Sequence, residues 1–277
     1  MIALLAHPRQ APVVRLLAQR LPVAALCSPW RGSFGPLSLP VHTHLAELLA
    51  AHQPGLVCFL SPHPRLAEGL SLCLAREIRV LSAGPVDGPA SPQWQWGGQH
   101  HFSPLFQQAL AQSRSPDFGV PVYLRRVVGG GGLLEAWWAA CRLLGEAQAL
   151  LGGPPDWFQV AAHRRGQSHH LVLSLSFHQG AGAHLVVAPS YPEPSADLTL
   201  LGSGGLVFSD QGANTLAVVS QAATDLHAPA FLHPEPAWIS HYLAGSTPPL
   251  PPDPLHLSLL PAIRRSLRQG VPMAVLG

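Results

Sequence analysis

HLAELLAAHQPGLVCFLSPHPRLAEGLSLCLAREIRVLS, residues 44–82, switches between two kinds of hydrophobic spacing, and that switching decides the fold. HLAELLAAH repeats its apolar positions at helical intervals, with Thr43 as a candidate N-cap and Glu47 in the first turn. LVCFL, 56–60, is a continuous apolar run of the kind that forms a strand buried on both faces. Helical spacing returns from Arg65 to Arg76, and IRVLS, 78–82, is a further strand. Upstream, IALLA (2–6) and VAALC (23–27) read as strands on either side of a helix over 11–20, where Pro12 is tolerated in the first turn. Strands alternating with helices in this rhythm predict a parallel sheet with right-handed crossovers.

The second half changes character. After Gly129–Gly132, LLEAWWAACRLLGEAQALL (133–151) is a long helix. FQVAAH, HLVLSLSFH, AHLVVAPS, LTLLG and GLVFS then follow as β-rich stretches joined by short turns, GQ, GAG and GSGG, which predicts an antiparallel sheet. A proline-rich connection at 248–254, a helix over 261–268 and a last strand, PMAVL, complete the chain. The expected fold class is therefore α/β: a Rossmann-like parallel sheet over 1–86, then an α/β domain over 87–277 with an open, mainly antiparallel sheet. The last helix is a candidate to pack back on the first domain.

Composition narrows the function classes. The 277 residues are 47% hydrophobic and 11% charged, enough to bury a core and too apolar for a disordered chain. No apolar run reaches the roughly 18 residues of a membrane span. MIALLAHPRQ lacks a basic segment before its apolar run, so it is expected to be a first strand and not a signal peptide. All 16 formal positive charges are arginines; with no lysine, neither a Schiff base nor a lysine acid is available. The arginines are scattered, with pairs at 125–126, 164–165 and 264–265, and no basic stripe points to nucleic acid. Cys27, Cys58, Cys73 and Cys141 form no CxxC pair and lie in apolar segments, as expected of reduced, buried thiols in the cytoplasm. His100–His101 and His169–His170 are adjacent pairs; neighbours on a strand face opposite ways, so no metal site is expected.

The order and spacing of these segments resemble the Gfo/Idh/MocA family of sugar and polyol dehydrogenases over nearly the whole chain. Residues 44–86 look like that family's third and fourth βα units, including the Ser61–Pro62 turn. WGGQHHFSP (96–104) looks like its strand ending in an Arg-Phe-x-Pro turn, and GGGGLLEAWWAACRLLG like the glycine-led catalytic helix. LLGSGGLVFSD and PAIRRSLRQGVPMAVL look like its late strand pair and its last helix and strand. The resemblance implies a nicotinamide cofactor, a sugar- or polyol-like ligand, and a homo-oligomer formed through the C-terminal sheet.

The departures from the family pattern fall where chemistry would occur. A G-x-G-x-x-G/A loop lets backbone amides approach a pyrophosphate at a helix N-terminus; here the loop reads Ala6-His7-Pro8-Arg9-Gln10-Ala11. Pro8 lacks an N–H, and Arg9 is the one charged substitute. The acidic residue expected after the second strand is replaced by Ser28-Pro29-Trp30-Arg31, which leans towards NADP over NAD if a cofactor binds at all. The Glu-Lys-Pro turn corresponds to Ala83-Gly84-Pro85, which keeps only Pro85. The Asp, His and Asp of the catalytic helix correspond to Glu135, Ala139 and Arg142. Candidate substitutes for the missing acid–base pair are His63, after the Ser61–Pro62 turn, and His101, at the arginine position of the other turn, with Glu135 keeping a carboxylate. Trp137 and Trp138 beside the lost histidine read as space-filling side chains or as a stacking platform.

Three functions follow, the third of them a structural homodimer formed through the face of the antiparallel sheet. In the first, the chain keeps the fold, has lost the reaction, and serves as a ligand-binding or assembly subunit. In the second, it is a divergent NAD(P)-dependent oxidoreductase in which Ala6, Arg9, Ser28, Arg31, Ser61, Pro62 and Pro85 hold the cofactor and a relocated histidine moves the proton.

Overall fold

A computed structural model describes residues 1–89, 91–189, 196–210, 215–220, 224–227, 233–245 and 254–276. The chain divides into two compact units: Met1–Phe102 with His233–Pro252, and Ser103–Leu232 with Asp253–Gly277.

The first unit runs β1 (Ile2–Leu5), α1 (Ala11–Arg20), β2 (Val23–Cys27), β3 (Val41–His42), α2 (Leu45–His52), β4 (Leu56–Phe59), α3 (Leu66–Leu74), β5 (Arg79–Ser82) and β6 (Trp94–Trp96). The six strands pair in the order β3-β2-β1-β4-β5-β6, all parallel. All four residues of β1 and of β4 are buried, as expected of strands covered on both faces. The link from β2 to β3 has no helix, so the second crossover is a bare loop. A division at residue 86 falls before β6, the sixth strand of this sheet.

The second unit runs α4 (Pro104–Ser113), β7 (Pro121–Gly129), α5 (Leu133–Leu151), β8 (Trp157–Arg165), β9 (Ser168–Ser176), β10 (Gly182–Ala188), β11 (Ala196–Gly202), β12 (Gly205–Asp210), β13 (Thr215–Ser220) and β14 (Thr224–His227). The chain then contributes α6 (Glu235–Leu243) to the first unit and α7 (Pro254–Gln269) and β15 (Met273–Leu276) to the second. The nine-stranded sheet has the order β14-β13-β12-β11-β7-β10-β9-β8-β15; β7 and β10 pair parallel and the other neighbours antiparallel. α5 packs on β7, β10 and β9, and α7 on β8, β15 and α5. Inside this unit Arg126 and Glu146, each about 5% exposed or less, form an ion pair of 2.6 Å.

α6 returns to the first unit to complete its core, where Trp238, Ile239 and Tyr242 join Leu4, Val14, Leu17, Leu26 and Leu56. Its indole at Trp238 donates to Gly97 O at 3.0 Å.

Local expectations shift in four places. His44, not Thr43, occupies the N-cap of α2, with no side-chain cap bond. His100 and His101 lie in a 3-10 turn, Gln99–Phe102, after β6, and their rings meet with centroids 4.2 Å apart instead of facing opposite ways. The last helix starts at Pro254 and carries Pro261 in its interior, where a start had been expected. The proline-rich connection at 248–254 falls, up to 253, outside the described residues, as does the end of the AHLVVAPS stretch at 190.

Candidate functional site

In the order β3-β2-β1-β4-β5-β6, connections leave β1 and β4 in opposite directions. Loops at the carboxyl ends of these two strands therefore part and leave a crevice, the place where such sheets hold ligands. The sequence candidates Ala6, Arg9, Ser61, Pro62 and His63 lie on those two loops, Ser28 and Arg31 on the loop after β2, and Pro85 on the loop after β5.

The loop after β1 is not open. Ala6 is fully buried and its amide donates to Cys27 O at 3.2 Å. His7 N donates to Ser61 Oγ at 2.9 Å, Arg9 N to His7 Nδ1 at 3.1 Å, and Gln10 N to His7 O at 2.8 Å. Ala11 N donates to Pro8 O, and Pro8 has no N–H to give. Pro8–Gln10 winds into a 3-10 turn, so the entry to α1 is a tightened helix end that consumes its own donors.

Ser61 and Gln10 lock this turn to β4. The Ser61 hydroxyl accepts from His7 N and donates to Gln10 Oε1 at 2.5 Å, while Gln10 Nε2 donates to Leu60 O at 2.9 Å. The loop after β4 repeats the design of the first. His63-Pro64-Arg65 matches His7-Pro8-Arg9: Arg65 N donates to His63 Nδ1 at 3.2 Å and Leu66 N to His63 O at 3.1 Å. Trp30, from the loop after β2, lies between the two turns, its ring 5.2 Å from that of His7 and 5.1 Å from that of His63. Gly32 (φ +139°) packs on the first turn; a Cβ there would stand 2.9 Å from Pro8 Cγ.

The chemistry of His63 follows from its partner. A neutral imidazole that accepts at Nδ1 carries its proton at Nε2, so the free edge of His63 donates and does not abstract. Burial lowers its pKa, the Arg65 charge lowers it further, and Glu68 opposes both weakly. Ser28 is buried, its amide bonded to His42 O at 2.8 Å and its hydroxyl without a partner among the described residues. Arg9 and Arg31 are exposed. At the end of β5, Ser82 Oγ donates to Gly84 O and fixes the turn in which Gly84 and Pro85 are buried.

In the second unit, Glu135 accepts from Gly132 N at 2.9 Å, so its carboxylate caps α5 at the third helical position. Trp137 and Trp138 are both buried; the Trp137 indole donates to His256 O at 3.3 Å, which fits a packing side chain and not an open platform. Arg142 Nε has no partner among the described residues. No group of three or more His, Cys, Asp or Glu among the described residues is placed to hold a metal ion.

Sequence reading passed over Trp30, Gln10 and the doubled His-Pro-Arg, although the repeat stands in the sequence at 7–9 and 63–65. The signal becomes legible only when the fold places the two turns on adjacent strands. From His7 to Ala11 each backbone N–H is already bonded within the protein, so this stretch offers no unused amide to a pyrophosphate.

No protein-family model and no curated protein matches the sequence. Solved structures do. An oxidoreductase from Agrobacterium radiobacter, in complex with NAD+, L-tartaric acid and magnesium, superposes with a TM-score of 0.72 at 14% identity, over 98% of this chain and 97% of that one. The aldose-aldose oxidoreductase from Caulobacter crescentus, complexed with glycerol, gives 0.72 at 15% identity over 99% of each chain. The WlbA dehydrogenase from Chromobacterium violaceum, in complex with NADH and UDP-GlcNAcA, gives 0.66 at 15% identity over 99% of this chain and 95% of that one. A closed turn at the switch point thus sits within a chain whose whole length follows these enzymes, and its fold is that of the Gfo/Idh/MocA-type oxidoreductases.

Proposed function

We propose that the protein is a Gfo/Idh/MocA-like chain that no longer transfers hydride and acts as a ligand-binding or assembly subunit. One observation carries this reading: from His7 to Ala11 every backbone donor is committed inside the protein, and Pro8 supplies none. A dinucleotide pyrophosphate depends on such donors at the first helix. The loss of lysine at Gly84 and of histidine at Ala139 points the same way, since each general acid or base contributes about 10²- to 10⁴-fold. The ligand would be small and sugar- or polyol-like, and the protein cytoplasmic, with its thiols reduced. Two copies would pair through the open face of the nine-stranded sheet, where Val172, Leu201 and Phe208 are partly exposed; light scattering that returns a monomer removes that element.

The test is titration with NAD, NADH, NADP and NADPH at millimolar concentration, followed by thermal shift. A ligand at about 100 times its Kd adds about 2.7 kcal/mol, so binding is readily seen. No shift with any of the four is expected. A shift with one of them, together with turnover of a polyol, sinks the proposal.

The second reading is a divergent oxidoreductase with NADP or NAD. It draws on the complexes of similar structures with NAD+ and NADH, and on the unpartnered Ser28 hydroxyl, which suits a ribose or its phosphate. Arg9 and Arg31 would then supply charge, with His63 or His101 moving the proton. His63 would serve as acid through Nε2, since its Nδ1 is occupied.

A further inference from the structure

Four arginines far apart in the sequence, Arg164 and the run Arg264, Arg265 and Arg268, meet within the second unit. Arg164 at the end of β8, His169 at the start of β9, and Arg264, Arg265 and Arg268 on α7 line one cleft of about 680 Å³ together with the apolar Leu133, Pro261 and Leu267. The cleft has the size of a small-molecule site. Among the described residues no aspartate or glutamate lines it and none of its four arginines forms an ion pair, although Arg164 Nε donates to Gly166 O at 2.8 Å.

Cations in the last turns of a helix are ordinary, because they complement its dipole. That accounts for Arg268 but not for Arg264 or Arg265, which lie before the last turn, nor for Arg164, which comes from a hairpin. Nor does it account for His169, 9% exposed, whose Nδ1 is buried with no partner among the described residues. The His169 amide donates to Gly131 O at 2.9 Å, which fixes the residue against the start of α5. Ser266 holds α7 to β8 by accepting from Ala162 N at 3.1 Å and donating to Val271 O at 2.8 Å. The backbone that carries these side chains is therefore held in place, while the four arginines themselves are exposed. Burial lowers the pKa of His169, the Arg164 charge lowers it further, and a backbone hydrogen bond with Gln167 opposes both.

We propose that this cleft binds a small polyanion carrying at least two phosphate-like groups. Guanidinium groups pair with phosphate oxygens through two parallel N–H donors, and four of them facing one cleft call for more than one negative charge. The site uses no residue of the loops of the first sheet and stands whether or not the chain binds a dinucleotide.

Inorganic pyrophosphate is the probe, titrated calorimetrically into the full chain at fixed ionic strength. One site per chain with a Kd below about 1 mM is expected. The double variant Arg264→Gln/Arg268→Gln weakens binding by about tenfold or more, and His169→Gln weakens it by a smaller factor. Arg20→Gln, an exposed arginine of the other unit, leaves it unchanged. Circular dichroism melts confirm that each variant is folded. No heat with pyrophosphate, or equal affinity in the folded double variant, overturns the proposal. A short single-stranded oligonucleotide that binds far more tightly than pyrophosphate through the same arginines also overturns it, in favour of a nucleic-acid groove.

Discussion

Glu146→Gln separates the buried Arg126 charge from the carboxylate that pairs with it among the described residues and tests how the second unit is held together. Arg126 Nε and Glu146 Oε2 are 2.6 Å apart, at 5% and 4% side-chain exposure, and Arg126 Nη1 also donates to Asp197 O at 3.1 Å. A unit pair at that separation gains roughly 6 kcal/mol at an effective dielectric near 20, most of which offsets the desolvation of the two groups. Neutralising one partner leaves the guanidinium buried and uncompensated, at a cost of about 3–5 kcal/mol. At about 2–4 °C per kcal/mol for a unit of this size, melting should fall on the order of 10 °C. The double replacement Arg126→Met/Glu146→Leu removes both charges and should recover most of the loss. Arg125, on the opposite face of the same strand, pairs with Asp197 while 46% exposed, so Arg125→Ala should cost less than about 1 kcal/mol. Calorimetric melts of the four proteins decide the matter. Glu146→Gln melting within about 2 °C of the parent, or a double variant as unstable as the single, refutes the reasoning.

Three further outcomes are expected. Gly32→Ala places a Cβ 2.9 Å from Pro8 Cγ at a φ of +139°, so denaturant unfolding should show a loss of about 1–3 kcal/mol, and an unchanged midpoint would mean the two loops do not pack. Burial raises the Cys27 thiol to about 11 and Cys73 to about 12, with Cys58 and Cys141 also raised; a disulfide reagent at about pH 8 should label none of the four in the native protein and all four after denaturation. His63 and His169 both have lowered pKa values, chiefly through burial. The unfolded chain therefore binds more protons just below about pH 6.5, and stability is full above that pH and declines as it falls. Urea midpoints should drop on acidification, and by less in His63→Gln/His169→Gln; an unchanged pH dependence in that variant contradicts the assignment.

Legibility in the sequence tracked how local the cause was. α1, β2 and α5 appear at the residues their spacing indicates, because a helical stripe or an apolar run is a property of the segment itself. Helices α4 and α6 escaped notice: PLFQQALAQS and EPAWISHYL are short and carry a proline at the start, and their buried faces make sense only against partners distant in sequence. Pro261 looked like a helix start, yet packing of α7 on β8 and β15 carries the helix through it. At the site, the sequence exposed what the loop lacks, namely glycines at the turn and lysine at Gly84. It could not expose what replaced them. The bond from His7 N to Ser61 Oγ and the position of Trp30 join residues that only the strand order brings together.

The Ser61–Gln10 lock and the Trp30 wedge bear on how this chain could change over time. Pro8→Gly alone would return one amide, while Ser61, Gln10 and the His7 ring still hold their neighbours and the indole still fills the space above. Each single replacement in this set removes an internal bond while the others still hold the turn closed. The turn is thus held by several mutually dependent bonds, and opening it takes more than one substitution.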